Sequence, residues 1–163
     1  MFRTLARVAA IGVAAIGLTL GFTEVTVNGQ EKEVAYPKLP AGAGKLDDAA
    51  PKAFTKTGSG LKYRVLRKGA GSMPKASDSV RVNYHGWLDN AKVFDSSYER
   101  KQPISFPLNR VIKGWTEGMQ LVGEGGMIEL EIPPDLGYGS RGAGDDVPPN
   151  ATLHFLVELL KVE

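Results

Sequence analysis

Cysteine is absent from this 163-residue chain, histidine occurs only twice, and the 20 basic and 18 acidic side chains nearly cancel. Without cysteine the chain forms no disulfide, offers no thiolate nucleophile and cannot hold a zinc ion or an iron–sulfur cluster through sulfur. Two histidines by themselves do not complete a zinc site. The balanced charge leaves no basic face that could follow a phosphate backbone, so we expect neither DNA nor RNA as a partner.

Long apolar runs are equally scarce, and the clearest one spans residues 8–22, behind Arg3 and Arg7. A basic start followed by an apolar stretch of this length is typical of a secretory signal peptide. Glu24 ends the run before the roughly 20 residues that a membrane-spanning helix needs, which favours a cleaved signal over a permanent anchor. We therefore interpret residues 1–27 as a signal peptide, with an uncleaved signal anchor as the open alternative.

The next stretch, residues 28–58, shows no hydrophobic period. Pro37, Pro40 and Pro51 are scattered through it together with glycines and isolated charges. Such a composition interrupts regular elements, so the segment is predicted to be a flexible tether. The remaining residues, 59–163, have the length of one ordinary domain.

Alternating apolar residues predict an antiparallel sheet in that domain. The predicted strands are residues 60–68, 79–88, 127–132 and 151–162. One stretch, residues 111–121, instead spaces its apolar side chains three and four apart, as a helix with one buried face does. The predicted fold class is α+β, an antiparallel sheet covered by one short helix.

Most polar motifs in the domain favour a structural interpretation. Residues 137–142 match the glycine pattern of dinucleotide-binding loops, but prolines flank them where that fold requires a strand and a helix. His85 and His154 lie in predicted strands and need no catalytic role there. Glu129 and Glu131 alternate with apolar neighbours, which predicts that both face solvent.

Aromatic and aliphatic residues are the better candidates for a binding site. Trp115 follows a glycine, Tyr138 lies in a glycine-rich loop where no core requires it, and Phe94 precedes Asp95 at what is predicted to be the opening of a polar turn. Large apolar side chains in such places are typical of a ligand pocket as well as of a core. Spacing alone does not decide between these interpretations.

Five sequence blocks, taken together, resemble the FKBP-type peptidyl-prolyl cis-trans isomerases. In order along the chain they are VNYHG (82–86), VFDSS (93–97), VIKGW (111–115), GYG (137–139) and PPNATL (148–153). The resemblance covers about residues 59–163. It implies a half-barrel of antiparallel strands wrapped around one short helix, with an apolar pocket between them that receives a prolyl ring.

The resemblance also implies a role for individual residues. Catalytic roles fall on Tyr84, Asp95 and Tyr138, and Arg100 matches a family arginine in position. Trp115 corresponds to the pocket floor, and the Ile112 N–H to a donor for a substrate carbonyl. The substrate-binding set is Phe94, Phe106, Val111, Ile112, Trp115, Val147 and Phe155. No metal and no cofactor are implied.

The resemblance, together with the predicted signal peptide (the leader, residues 1–27), predicts the cellular location and the substrates of the protein. The expected substrates are proline-containing polypeptides that fold outside the cytoplasm, in the periplasm or cell envelope, and an uncleaved leader would hold the domain at the membrane. Macrolides of the tacrolimus and rapamycin type are expected ligands, although Ile104 and the acidic loop 143–147 depart from the family pattern. A monomer is expected. The alternatives are a non-catalytic peptide-binding module and a sensor for a hydrophobic macrocycle.

Overall fold

Seven antiparallel strands form one sheet in the computed structural model, which describes residues 33–163. The strands are β1 (Thr55–Lys56), β2 (Lys62–Arg67), β3 (Ser79–Leu88), β4 (Val93–Ser96), β5 (Ile104–Pro107), β6 (Met127–Ile132) and β7 (Leu153–Val162). Their order across the sheet is β1-β2-β6-β7-β3-β4, and β5 pairs with β3 beside β4. The predicted leader, residues 1–27, lies outside the described residues.

Alternation in the sequence explains the long central strands. In β3, Val80, Val82 and Tyr84 are buried while Arg81 between them is exposed. The apolar residues of β6 and β7 follow the same rule, and their inner faces join β3 in one hydrophobic core. The predicted α+β class and antiparallel half-barrel are therefore confirmed.

One α-helix, α1 (Lys113–Gly118), lies against the inner face of this sheet within the described residues. It is shorter than the predicted 111–121, because a 3₁₀ turn (Met119–Leu121) completes the stretch. A Cβ at Gly114 would lie 2.5 Å from the Ile132 side chain, and one at Gly118 would lie 2.7 Å from Leu130. The glycines that weaken helix propensity are thus what allows the helix to approach the sheet. No helix among residues 33–163 has the length and apolar character needed to span a membrane.

Three short strands, β1, β4 and β5, are not predicted from the sequence. They have two to four residues each, which is too short to show the alternation of apolar and polar residues by which strands are predicted. Phe94 and Asp95, predicted to open a polar turn, instead lie inside β4 and pair with β3. That pairing places both side chains next to Tyr84 and Gly86.

Residues 33–54, hereafter the strap, pack against the outer face of the sheet. Leu39, Leu46 and Ala50 contact a second apolar cluster formed by Leu66, Met127 and Leu156. The strap and the domain belong to one compact unit. These contacts differ from those expected of a flexible tether, which shows that a stretch without periodicity can still be fixed by a few scattered apolar residues and by its backbone.

Arg64 fixes that backbone. Its guanidinium, 1% exposed, donates to the carbonyl oxygens of Val34 (2.8 Å), Ala35 (2.8 Å) and Lys52 (2.8 Å). It also pairs with Glu129 at 2.6 Å. The rings of Tyr36 and Phe54 lie 5.1 and 4.5 Å from the guanidinium carbon, in the range of cation–π contacts.

The placement of Glu129 corrects a sequence prediction. Glu129 was predicted to face solvent but is 5% exposed, because the strap covers its side of the sheet. Burial raises the pKa of Glu129 above its ordinary value, although Arg64 opposes the shift. Glu131 lies further along the same face, is half-buried and pairs with Lys62 at 2.6 Å. Alternation identifies the two faces of a strand but not which of them another segment covers.

Candidate active site

A cavity of about 480 Å³ opens between α1, the inner face of the sheet and the loops above it. Its size is within the range of small-ligand pockets. The lining residues are Tyr84, Phe94, Asp95, Phe106, Arg110, Val111, Ile112, Trp115, Tyr138 and Phe155. The structure thus brings together every residue of the predicted site except Val147.

Aromatic rings packed edge to face form the base of the cavity. Trp115, 4% exposed, contacts Tyr84 (centroids 5.4 Å apart, 87°), Phe106 (5.7 Å, 82°) and Phe155 (5.3 Å, 84°). Phe94 meets Phe155 in the same way at 5.4 Å and 89°. Edge-to-face packing is a favourable aromatic geometry, so these rings form a fixed apolar surface.

Gly86 in β3 leaves room for two of these rings. A Cβ at this position would lie 2.8 Å from both Phe155 and Phe94, which is closer than a carbon atom can approach without displacing them. The glycine in the VNYHG block is therefore a packing requirement of the cavity wall.

The indole N–H of Trp115 has an unusual environment. Within residues 33–163 it is the buried side-chain polar atom that lacks a hydrogen-bond partner. A buried donor without an acceptor costs about 1–3 kcal/mol.

A polar cluster lies on one side of this apolar surface. The Tyr84 hydroxyl donates to one oxygen of Asp95, and the Arg100 guanidinium donates to the other. A second Arg100 nitrogen donates to the Tyr84 hydroxyl at 2.8 Å. The three side chains close a ring of hydrogen bonds that holds the carboxylate at the cavity wall.

The protonation states in this cluster follow from its contacts. Burial, followed by the hydrogen bond to Asp95, raises the pKa of Tyr84 to about 12. Burial would raise the pKa of Asp95, but the hydrogen bonds from Tyr84 and Arg100 together outweigh it and lower that pKa. At neutral pH the site therefore presents a neutral phenol and an ionised carboxylate, and neither group is poised to exchange a proton.

Tyr138 is supplied by the loop between β6 and β7. Short 3₁₀ turns on either side, Pro134–Leu136 and Gly139–Arg141, shape this loop, and the Asn150 N–H donates to the Gly139 carbonyl at 2.8 Å. Tyr138 is 41% exposed and lines the cavity. Burial of its ring, followed by the charge of Asp95, raises the pKa of this phenol.

The opposite rim is formed by the connection into α1. The Ile112 carbonyl accepts the first helical hydrogen bonds, from the N–H groups of Trp115 (2.9 Å) and Thr116 (3.1 Å). Its own N–H has no acceptor among residues 33–163. A free backbone donor thus lies beside the apolar cavity, next to the half-buried Val111.

Two residues depart from the predicted site. Val147 is 4% exposed, exchanges two backbone hydrogen bonds with Ala143 and packs into the main core, so it does not line the cavity wall. Arg110, which the sequence analysis missed, lines the cavity from the 3₁₀ turn Leu108–Arg110. An exposed arginine before the VIKGW block carries no pattern signal. Only its position beside Val111 could have identified it.

The cavity offers no ligand set for a metal ion. Among residues 33–163 no three histidine, aspartate or glutamate side chains come close enough together to hold one. What the arrangement can do is bind an apolar ring, accept or donate a few hydrogen bonds at its rim, and exclude water from a group held between them.

Comparisons with known proteins agree with this geometry. The sequence model of the family described as FKBP-type peptidyl-prolyl cis-trans isomerase matches residues 71–160. A "Probable FKBP-type peptidyl-prolyl cis-trans isomerase" of Haemophilus influenzae is 54% identical over 118 residues, which cover 72% of this chain and 49% of the relative. FkpA of Escherichia coli K12 is 50% identical over 133 residues, covering 82% of this chain and 49% of the relative. The chain spans about half the length of the curated relatives it matches.

Two solved structures resemble the fold. The crystal structure of FkpA from Escherichia coli superposes with a TM-score of 0.67 at 50% identity, covering 69% of this chain and 53% of that one. The crystal structure of AtFKBP13 has a TM-score of 0.63 at 36% identity and is covered over 98% of its length. With residues of four of the five sequence blocks lining one cavity, the chain belongs to the FKBP-type peptidyl-prolyl cis-trans isomerase family.

Proposed function

We propose that this protein is a peptidyl-prolyl cis-trans isomerase that accelerates rotation about X-Pro bonds in the cavity floored by Trp115. The observation that carries the proposal is an apolar cavity of about 480 Å³ with a free backbone donor at one rim and a fixed carboxylate at the other. A prolyl ring is compact and apolar, and an amide on either side of it needs a few polar partners. The cavity supplies both.

The chemistry requires no proton transfer. Rotation about an X-Pro bond faces a barrier of about 18–20 kcal/mol, because amide resonance must be lost. Resonance also makes the planar amide more polar than the twisted one, so an apolar surface disfavours the planar ground state. If the cavity and its hydrogen bonds favour the twisted state by about 5 kcal/mol, the acceleration is on the order of several thousandfold.

Each polar group then has a role in binding the twisted amide. The Ile112 N–H donates to a substrate carbonyl, and the Tyr138 hydroxyl donates to the bound peptide from the mouth of the cavity. The Asp95 carboxylate, fixed by Tyr84 and Arg100, lies close to the rotating amide. Phe94, Phe106, Val111 and Phe155 surround the ring, and Val147 supports the loop that carries Tyr138.

The cellular setting is proposed from the leader. If residues 1–27 act as a signal peptide, the chain acts on proline-containing polypeptides outside the cytoplasm, in the periplasm or cell envelope. We propose that it acts as a monomer, which is consistent with a cavity lined by residues of one chain. Macrolides of the tacrolimus type are proposed as ligands of the same cavity. The direct test is the cis-to-trans rate of a short X-Pro peptide with the purified protein. Acceleration that a macrolide abolishes supports the proposal, whereas a folded protein that binds the peptide without acceleration would be a peptide-binding module.

The pH dependence tests the absence of a proton shuttle. Since the pKa of Asp95 is lowered and that of Tyr84 is about 12, neither group changes charge near neutrality. We expect kcat/KM to be constant from about pH 5 to pH 9 and to fall only as Asp95 is protonated in stronger acid. A profile with a limb near pH 6.5, where histidine ordinarily titrates, would contradict this mechanism.

Arg110 predicts a preference in the substrate. It makes no ion pair within residues 33–163, although it lines the cavity. We expect peptides with glutamate before proline to be favoured over those with lysine, by about two- to fivefold at low salt. In Arg110→Glu the preference should reverse while the rate for a leucine peptide stays near that of the parent. If the ratio of kcat/KM values for the glutamate and lysine peptides is unchanged in Arg110→Glu, Arg110 does not contribute to substrate selectivity.

A further inference from the structure

A second, larger cavity lies on the opposite face of the sheet. It measures about 1070 Å³, is open to solvent, and lies between the strap and the outer faces of β3, β6 and β7. Val34, Pro37 and Leu39 form the strap wall, and Trp87 with its neighbouring rings forms the sheet wall. The sheet separates this cavity from the candidate active site, so the isomerase chemistry makes no use of it.

Three aromatic rings pack against one another in this second cavity. Trp87 stacks on His154 with centroids 5.6 Å apart and planes 14° apart, and His85 lies 5.8 Å from Trp87 at 36°. His85 and Trp87 are two apart in β3, and His154 is the registered partner of Trp87 in β7. This geometry differs from the edge-to-face packing around Trp115, because Trp87 and His154 are near-parallel and form a stack that a further flat ring can extend.

The two imidazoles also offer polar groups. Nδ1 of His85 is 3.1 Å from the Ser96 hydroxyl, and Nε2 of His154 is 2.7 Å from the Asp89 carboxylate. These contacts leave His85 Nε2 and His154 Nδ1 without partners among residues 33–163. Each side chain is thus oriented by one nitrogen while the other is free for a hydrogen bond with a ligand.

The cavity is already formed without a ligand, and its lining does not select a charged ligand. Arg64 holds the strap wall through three carbonyl oxygens, so no loop among residues 33–163 must be ordered on binding. Of the carboxylates in the lining, Glu129 is neutralised by Arg64 and Glu131 by Lys62. The other charged residues, Glu99, Lys38 and Lys101, are exposed.

The backbone argues against an extended peptide as the occupant. Strands β3, β6 and β7 are paired on both sides, so their N–H and C=O groups are committed to the sheet, and the edge strand β4 contributes only Val93 to the lining. In the strap, the Val34 and Ala35 carbonyls are taken by Arg64, and Pro37 and Pro40 have no N–H. A peptide gains affinity through main-chain hydrogen bonds, and this surface offers few of them.

We propose that the outer cavity is a binding site for a small, uncharged, planar aromatic molecule that carries a hydroxyl or amine group. The ring of the ligand extends the stack formed by Trp87 and His154, with His85 beside it, and its polar group bonds to a free imidazole nitrogen. This site is separate from the proposed isomerase function and stands without it.

The test uses 2-naphthol as the probe and its saturated counterpart, 2-decalol, as the matched control. The chain has two tryptophans, so a ¹H–¹⁵N spectrum contains one indole N–H signal for each site, and Trp87→Phe assigns them. We expect 2-naphthol to shift the Trp87 signal saturably, and 2-decalol to bind at least about tenfold more weakly because it cannot stack.

Two variants locate the site by titration calorimetry. Trp87→Leu should weaken 2-naphthol binding by about tenfold or more, since it removes the central ring. Val34→Lys changes the exposed strap wall without touching the core, and should weaken binding even if Trp87→Leu fails to fold. The proposal is overturned if the shift is confined to the Trp115 signal, if 2-decalol binds equally well, or if Val34→Lys binds as tightly as the parent.

Discussion

Trp115→Leu is expected to lower kcat/KM for an X-Pro peptide by about one to two orders of magnitude. The indole forms the cavity floor and holds Tyr84, Phe106 and Phe155 in edge contact. Losing that surface removes about 1.5–3 kcal/mol of apolar contact from the bound state, which corresponds to this change in rate. Coupled cis-to-trans assays at several peptide concentrations measure it.

Loss of stability must be separated from loss of the site. Leu156→Ala is a matched control, because Leu156 is fully buried but belongs to the outer cluster beneath the strap. That variant should cost about 2–5 kcal/mol of unfolding free energy and leave kcat/KM per folded molecule unchanged. If the two variants lost activity equally at equal folded fractions, the Trp115 cavity would not be the catalytic site.

Arg64→Met is expected to lower the free energy of unfolding by about 3–5 kcal/mol. The substitution leaves Glu129 as an unpaired buried carboxylate, and it removes the donors for the carbonyl oxygens of Val34, Ala35 and Lys52. Urea denaturation followed by circular dichroism measures the loss. Hydrogen exchange at the Val34 amide, which donates to the Lys52 carbonyl, should accelerate because the strap loosens.

Lys62→Met provides the comparison on the same strand and the same face. Lys62 pairs with Glu131 at 2.6 Å, but its side chain is 43% exposed. Water and salt screen such a pair, so the loss should stay below about 1 kcal/mol. Equal losses in the two variants, or unchanged exchange at Val34 in Arg64→Met, would refute the view that one buried guanidinium anchors the strap.

Alternation predicted the sheet where strands are long and one face is buried. β3 and β6 begin and end at the predicted residues, because each alternates between an apolar core and a polar or covered face. Alternation does not predict the short strands β4 and β5. Their position is fixed by pairing with β3, which is a tertiary effect that no local pattern records.

The strap shows a different limit of sequence reasoning. Arg64 recognises backbone carbonyl groups, and these are the same in every residue type, so nothing in the strap sequence marks it as a partner. The prediction that Glu129 faces solvent failed for the same reason. The strand pattern was interpreted correctly, but the segment that covers it was not predicted to be there.

The candidate site was predictable mainly through the family resemblance. Composition and spacing could not separate Trp115, Phe94 and Tyr138 from ordinary core residues, and the five ordered blocks did so. The ring of hydrogen bonds among Tyr84, Asp95 and Arg100 depends on β4 returning beside β3, which required the structure. Arg110 and the displacement of Val147 into the core required it as well.

The most direct test of the account is exchange spectroscopy on one sample that contains the ¹⁵N-labelled protein and an X-Pro peptide. We predict exchange cross-peaks between the cis and trans proline signals of the peptide, together with a saturable shift of the Trp115 indole N–H and none at Trp87. Cross-peaks without a shift at Trp115 would place catalysis elsewhere. A shift at Trp115 without any exchange would show a binding module in place of an enzyme.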